Sequence, residues 1–160
     1  QDKNGIANSY NNIGSIYWYQ KNYEKSLENY LKSLSLRESM GDKLGISGSC
    51  NNIGNIYYLQ GNYEKALYHH FRALILNEEI GSKQGISASY NNIGNVLSAQ
   101  NKYEKALINH FKALKISQEI GDKVALSLTY GNIGDIYTKQ KRWREASHYL
   151  NQLLIIAQEI

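Results

Sequence analysis

This sequence predicts an all-α chain made of four copies of one helix-turn-helix unit, and three observations carry the prediction. Ser9-Tyr10-Asn11-Asn12-Ile13-Gly14 returns as Ser49-Cys50-Asn51-Asn52-Ile53-Gly54, as Ser89-Tyr90-Asn91-Asn92-Ile93-Gly94 and as Thr129-Tyr130-Gly131-Asn132-Ile133-Gly134, with a period of 40 residues. Apolar residues inside each period step by three or four, as a helix face requires. A short polar turn divides each period, and a Gly followed by Asp or Ser closes it. Segments 41–80 and 81–120 are identical at 23 of 40 positions, so the repetition is positional and does not come from composition.

The first helix of each unit carries stripes such as Ile6, Tyr10, Ile13, Tyr17 and Ile46, Cys50, Ile53, Tyr57. A second stripe follows, Tyr23, Leu27, Leu34 and then Tyr63, Leu67, Leu74, beyond turns such as Gln20-Lys21-Asn22. Gly41, Gly81 and Gly121 sit where a left-handed residue can end a helix. Asp42, Ser82 and Asp122 come next, where a side-chain oxygen can cap the following one. First helices are expected near 4–20, 44–60, 84–100 and 124–140, and second helices near 23–40, 63–80, 103–120 and 143–159. The whole chain, 1–160, reads as one array with repeats at about 1–40, 41–80, 81–120 and 121–160.

The motif resembles the tetratricopeptide repeat, Trp-x2-Leu-Gly-x2-Tyr followed by Ala-x3-Phe and a closing Pro. Here it reads Tyr10-x2-Ile13-Gly14-x2-Tyr17 with Ser26-x3-Tyr30, and Cys50-x2-Ile53-Gly54-x2-Tyr57 with Ala66-x3-His70. The third and fourth copies are Tyr90-x2-Ile93-Gly94-x2-Leu97 with Ala106-x3-His110, and Tyr130-x2-Ile133-Gly134-x2-Tyr137 with Ala146-x3-Leu150. The chain contains no Pro, and its period is longer than the family's usual 34 residues, so the helices lengthen and Gly-Asp-Lys makes the turn. This long form resembles repeat arrays of bacterial signalling proteins and of animal G-protein-regulator scaffolds. The resemblance implies a right-handed α-solenoid of four antiparallel hairpins. It also implies a concave groove lined by the first helices, and a protein-interaction scaffold that is the docking or sensory part of a larger signalling protein.

Gly in a helix interior costs about 1 kcal/mol relative to Ala, yet Gly14, Gly54, Gly94 and Gly134 recur in register. Close approach of the paired helix is the expected gain, with Ala66, Ala106 and Ala146 as the small partners.

On the family pattern the groove residues are Asn11, Asn12, Asn51, Asn52, Asn55, Asn91, Asn92, Asn95, Asn132 and Asp135. An amide carries both a donor and an acceptor, so such a ladder can pair with the backbone of an extended peptide. Equally, it can bond between neighbouring helices and hold the array together, and both roles are open from sequence. Trp18 and Tyr58 are expected as aromatic anchors. Together with Tyr19, Leu59, Ser98, Ala99, Thr138 and Lys139 they would set specificity, because these positions differ between repeats.

Other functions find less support in the residues. No phosphate loop, nucleophile elbow or paired-carboxylate motif appears, so an enzyme is not expected, nor are a metal or a cofactor. His70 and His110 share one repeat position and are expected as ring residues bonded to a neighbour, and Cys50 as a small buried apolar residue. The net charge of +4 is spread among acidic neighbours. The inferred groove is nearly neutral, which argues against nucleic acid and leaves single-stranded RNA as a minor alternative. A single Cys fits a reducing, cytoplasmic setting, and neither a membrane span nor a leader is legible. Gln1-Asp2-Lys3 aligns with Gly41-Asp42-Lys43, and the last helix ends Leu153-Leu154-Ile155-Ile156-Ala157-Gln158-Glu159-Ile160. These ends are expected to belong to a longer array and to offer weak self-association as an alternative role.

Overall fold

The computed structural model describes residues 2–160, which form α-helices joined by short turns. Two compact units divide them, the first ending at Gly81 and the second running from Ser82 to Ile160. The first holds α1 (Lys3–Tyr19), α2 (Tyr23–Met40), α3 (Lys43–Leu59) and α4 (Tyr63–Glu79); the second holds α5 (Lys83–Ala99), α6 (Tyr103–Ile120), α7 (Lys123–Lys139) and α8 (Trp143–Gln158). Every boundary falls within one residue of the expected one.

The boundaries follow from local chemistry. Gly41, Gly81 and Gly121 adopt φ of 67°, 69° and 67°, a left-handed conformation that costs a residue without a Cβ nothing extra. Asp42, Ser82 and Asp122 then accept from the N–H of Gly45, Gly85 and Ala125 at 2.9, 3.2 and 3.0 Å. Between the two helices of a hairpin the sequence signal was thinner. Lys21, Gly61, Asn101 and Lys141 all have positive φ, and only one of them is glycine. The Asn22 N–H reaches the Tyr17 carbonyl at 2.9 Å, as Lys102 N–H reaches Leu97; this local closing bond at the helix end holds the left-handed residue in place despite its side chain.

In unit 1, Ile53, Ile56 and Cys50 are fully buried against Tyr30 and Leu34 of α2. In unit 2, Ile133 and Ile136 occupy the same role beside Leu107 and Leu114 of α6. Burial pushes the Cys50 thiol up to about 11, leaving it a packing residue, as its place in the repeat suggested.

The recurring glycines are seats for a side chain. A Cβ on Gly94 would stand 2.6 Å from His110 Cε1, one on Gly54 2.6 Å from His70 Cε1, and one on Gly14 2.7 Å from Tyr30 Cδ1. Close approach was expected, but against Ala66, Ala106 and Ala146. The residue one turn further along, at 30, 70, 110 or 150, fills the seat instead. At the alanine position of the first hairpin, Ser26 Oγ donates to the Gly14 carbonyl at 2.7 Å, so that position faces the glycine's backbone oxygen and leaves its Cα to the ring.

Candidate functional site

Consecutive helical residues point about 100° apart, so the two members of an Asn-Asn pair face differently, although Asn91 and Asn92 both border the cavity between α5 and α7. Asn91 is buried; its Oδ1 accepts from His110 Nδ1 at 2.9 Å and its Nδ2 donates to Thr129 Oγ1 at 2.7 Å. Asn51 Oδ1 takes the corresponding bond from His70 at 3.2 Å. The sequence reading puts these two asparagines on the groove; their carbonyls bond the histidines, and Asn91 also borders the cavity between α5 and α7.

That geometry fixes the state of both rings. With Nδ1–H donated to an amide, the remaining ring nitrogen would have to take up a second proton, which burial disfavours: it lowers His110 to about 4, and with the neighbouring His69 lowers His70 to about 4. His110 Nε2 has no hydrogen-bond partner and lies over Gly94. Each histidine is therefore a neutral packing ring with one directed bond.

Of the second asparagines, Asn12 is exposed, while Asn52 and Asn92 are half-buried. In unit 2, Asn92, Asn95 and Asn132 line a cavity of about 540 Å³ between α5 and α7, within the roughly 300–1,000 Å³ range of ligand sites. Val124 and Leu128 share its wall, 58% and 64% exposed. The sequence reading missed both. The signal was present, since the equivalent positions are Asn4 and Asn8, Leu44 and Gly48, and Gln84 and Ala88 in the other repeats. Asp135 is exposed and pairs with Lys139 at 2.7 Å.

In unit 1, Asn52 and Asn55 line a smaller cavity of about 240 Å³ with Ser15, Trp18, Tyr19 and Tyr30. Asn52 Nδ2 donates to Asn11 Oδ1 at 3.1 Å, tying α3 to α1. Asn12 is exposed. Trp18 is held edge-on to Tyr23, with ring centres 5.6 Å apart. Tyr58 lies 6.2 Å from the Tyr63 ring and is not among the residues of that cavity. Among the described residues no cluster of three or more His, Cys, Asp or Glu side chains is arranged to hold a metal ion. No described helix is long and apolar enough to cross a membrane.

Comparison with known proteins gives the fold its relatives. BtubC (BKLC) from P. vanneervenii superposes with a TM-score of 0.87 at 22% identity, covering 99% of this chain and 66% of that one. Aspartyl phosphate phosphatase F from Bacillus subtilis superposes at 0.93 with 19% identity, covering 99% and 42%. A Rap protein complexed with competence and sporulation factor superposes at 0.92 with 19% identity, covering 99% and 44%. This chain thus spans between 42% and 66% of the length of these solved chains. At such identities the likeness establishes the helical-repeat fold alone. A search of the curated proteins finds no match. The tetratricopeptide repeat family model matches three overlapping stretches, 5–79, 46–119 and 85–159, which together take in nearly the whole chain, and the chain belongs to the tetratricopeptide repeat family.

Proposed function

We propose that this chain is a protein-interaction scaffold that holds an extended or helical segment of a partner against the outward faces of its first helices. The observation that carries the reading is the set of amides lining a cavity on each unit: Asn92, Asn95 and Asn132 in the larger, Asn52 and Asn55 beside Trp18 in the smaller. An amide satisfies a peptide N–H or C=O with little demand on side-chain identity. Aromatic and aliphatic neighbours then supply the apolar contact from which affinity comes. The similar Rap protein, solved with competence and sporulation factor, supports a protein or peptide partner here. Docking or sensing within a larger signalling protein is the setting we propose.

Chemistry supports a non-catalytic role. The Cys50 thiol is raised by burial, and His70 and His110 are lowered and enclosed. A selection from a randomised linear peptide library tests the reading. Wild type is expected to enrich binders that an Asn92→Ala/Asn132→Ala variant of equal helicity releases. Binders retained by that variant would move the site elsewhere, and an empty selection would count against the peptide reading.

A second reading, self-association through terminal hairpins, draws on the outer face of α1. Ile13 is 40% exposed although its repeat counterparts Ile53, Ile93 and Ile133 are fully buried, and it joins Ile6 and Tyr10 around a depression of about 290 Å³. Light scattering over a concentration series would reveal it as a rising mass; a constant monomer mass would remove it.

A further inference from the structure

We infer that the cavity between α5 and α7 is a pocket for one aliphatic side chain of an extended protein segment, seated on Val124 and Leu128 while the neighbouring amides hold that segment's backbone. This inference rests on the peptide reading above and names the chemistry that unit 2 selects.

Three features of the cavity point to this occupant. The first is its aliphatic patch. Val124 and Leu128 lie one turn apart on α7, so their side chains stack on one face, and both are more than half exposed. Ala88 on α5 opposes them with a side chain small enough to leave room. Among the four repeats only the fourth places two branched aliphatic residues at these positions. The second is the spacing of polar groups around the patch. Asn132 follows Leu128 by one further turn of α7, and Asn92 and Asn95 face from α5. A side chain seated on the patch would thus have its own backbone N–H and C=O within reach of amides. The third is charge. Asp122 is the one ionisable group lining the cavity, and its carboxylate already caps the Ala125 N–H and accepts from Gln84 at 3.4 Å. An acidic side chain would enter against that carboxylate with no cation in the lining to offset it. An uncharged aliphatic one meets no such repulsion and removes Val124 and Leu128 from water.

The unit of recognition is small enough to test without the partner. Probes are N-acetyl-leucine methylamide and its glycine and aspartate analogues, titrated into the chain with isotope-labelled Val and Leu methyl groups and Asn side-chain amides. The leucine compound is expected to shift the Val124 and Leu128 methyls and the Asn92 and Asn132 amides along one saturating curve. The glycine analogue should bind roughly tenfold more weakly, and the aspartate analogue weaker still. Leu128→Ser, on an exposed face and checked for unchanged helicity, should erase the preference for leucine. Equal response to leucine and glycine, or a leucine preference that survives Leu128→Ser, would overturn the pocket. If library peptides bind through the asparagines while these probes ignore Leu128, the pocket falls and the peptide reading stands. If the probes seat here and no library peptide binds, the reading falls and the aliphatic preference stands.

Discussion

The third and fourth hairpins share a backbone plan and fill it differently. In the third, Gly94 seats the His110 ring, and Asn91 bonds that ring's Nδ1 while donating to Thr129. In the fourth, Gly134 seats Leu150, and the position of Asn91 is Gly131. The amide disappears in the repeat whose occupant has no N–H to bond. In the second hairpin, His70 is matched by Asn51. The first, with Tyr30, sends its hydroxyl to Ser15 at 3.1 Å, and its Asn11 accepts from Asn52 instead. The glycine seat is thus the constant, while its occupant and the polar group that serves it change together. Buried polar groups impose this coupling, because a ring N–H left without an acceptor costs about 1–3 kcal/mol.

Acid should open the widest gap between the two kinds of hairpin. His70 and His110 are lowered to about 4 inside the fold, against an ordinary value of 6.5. Between those values the unfolded chain binds the protons and the folded chain does not, so stability is complete above about pH 6.5 and falls as pH drops toward 4. The loss should be on the order of 2–3 kcal/mol for each histidine. Urea midpoints across that range would measure it, and a variant carrying Asn91→Gly with His110→Leu, which rebuilds the third hairpin on the plan of the fourth, should lose the His110 share of the dependence and keep that of His70.

Filling the seats comes next. Gly94→Ala should destabilise by roughly 1–3 kcal/mol, since the added Cβ would stand 2.6 Å from a stiff buried ring that has little room to shift. Gly134→Ala should cost less, because the atoms it meets, Leu150 Cδ2 and Cγ, belong to a flexible side chain. Equal losses of thermal stability would mean that the ring is not what makes the seat rigid. A comparable contrast separates the asparagines. Asn91→Ala strands the His110 Nδ1–H, while Thr129 keeps its bond to the Ala125 carbonyl, and should cost about 1–3 kcal/mol, whereas Asn132→Ala, on the cavity face, should stay within about 0.5 kcal/mol. The smallest effect concerns helix starts. Asn22 and Asn62 cap α2 and α4 through the N–H of Lys25 and Lys65, each at 3.2 Å, while Lys102 and Arg142 make no side-chain cap for α6 and α8. Lys102→Asn should raise stability by about 0.5–1 kcal/mol, read as a modest rise in Tm.

Much of this was legible in the residues because the fold is periodic. A repeated Gly-Asp-Lys places a stop, a cap and a start on adjacent positions, so helix boundaries can be read to within a residue. The left-handed turn residues Lys21, Asn101 and Lys141 escaped notice because their conformation is imposed by the backbone bond that closes the helix end and not by their own side chains. The seat's occupant was assigned one turn short, since Ala66 and His70 lie on the same helix face and spacing cannot say which of them meets the glycine. The division of each Asn-Asn pair was available from helical geometry alone. Its confirming signal, the joint change from His110 and Asn91 to Leu150 and Gly131, becomes readable once the ring is known to need an acceptor. Val124 and Leu128 went unread because an apolar residue on a stripe-bearing helix looks like core until the face is known.

The account turns on asparagines of one repeat motif doing two jobs, and calorimetric titration of a library-selected peptide tests that most directly. Wild type, Asn91→Ala and Asn92→Ala/Asn132→Ala would be compared, each with its melting curve. The account predicts that the double variant loses binding while keeping its Tm, and that Asn91→Ala loses Tm while its folded fraction still binds. Binding that survives in the double variant, or a double variant that melts early, would contradict it.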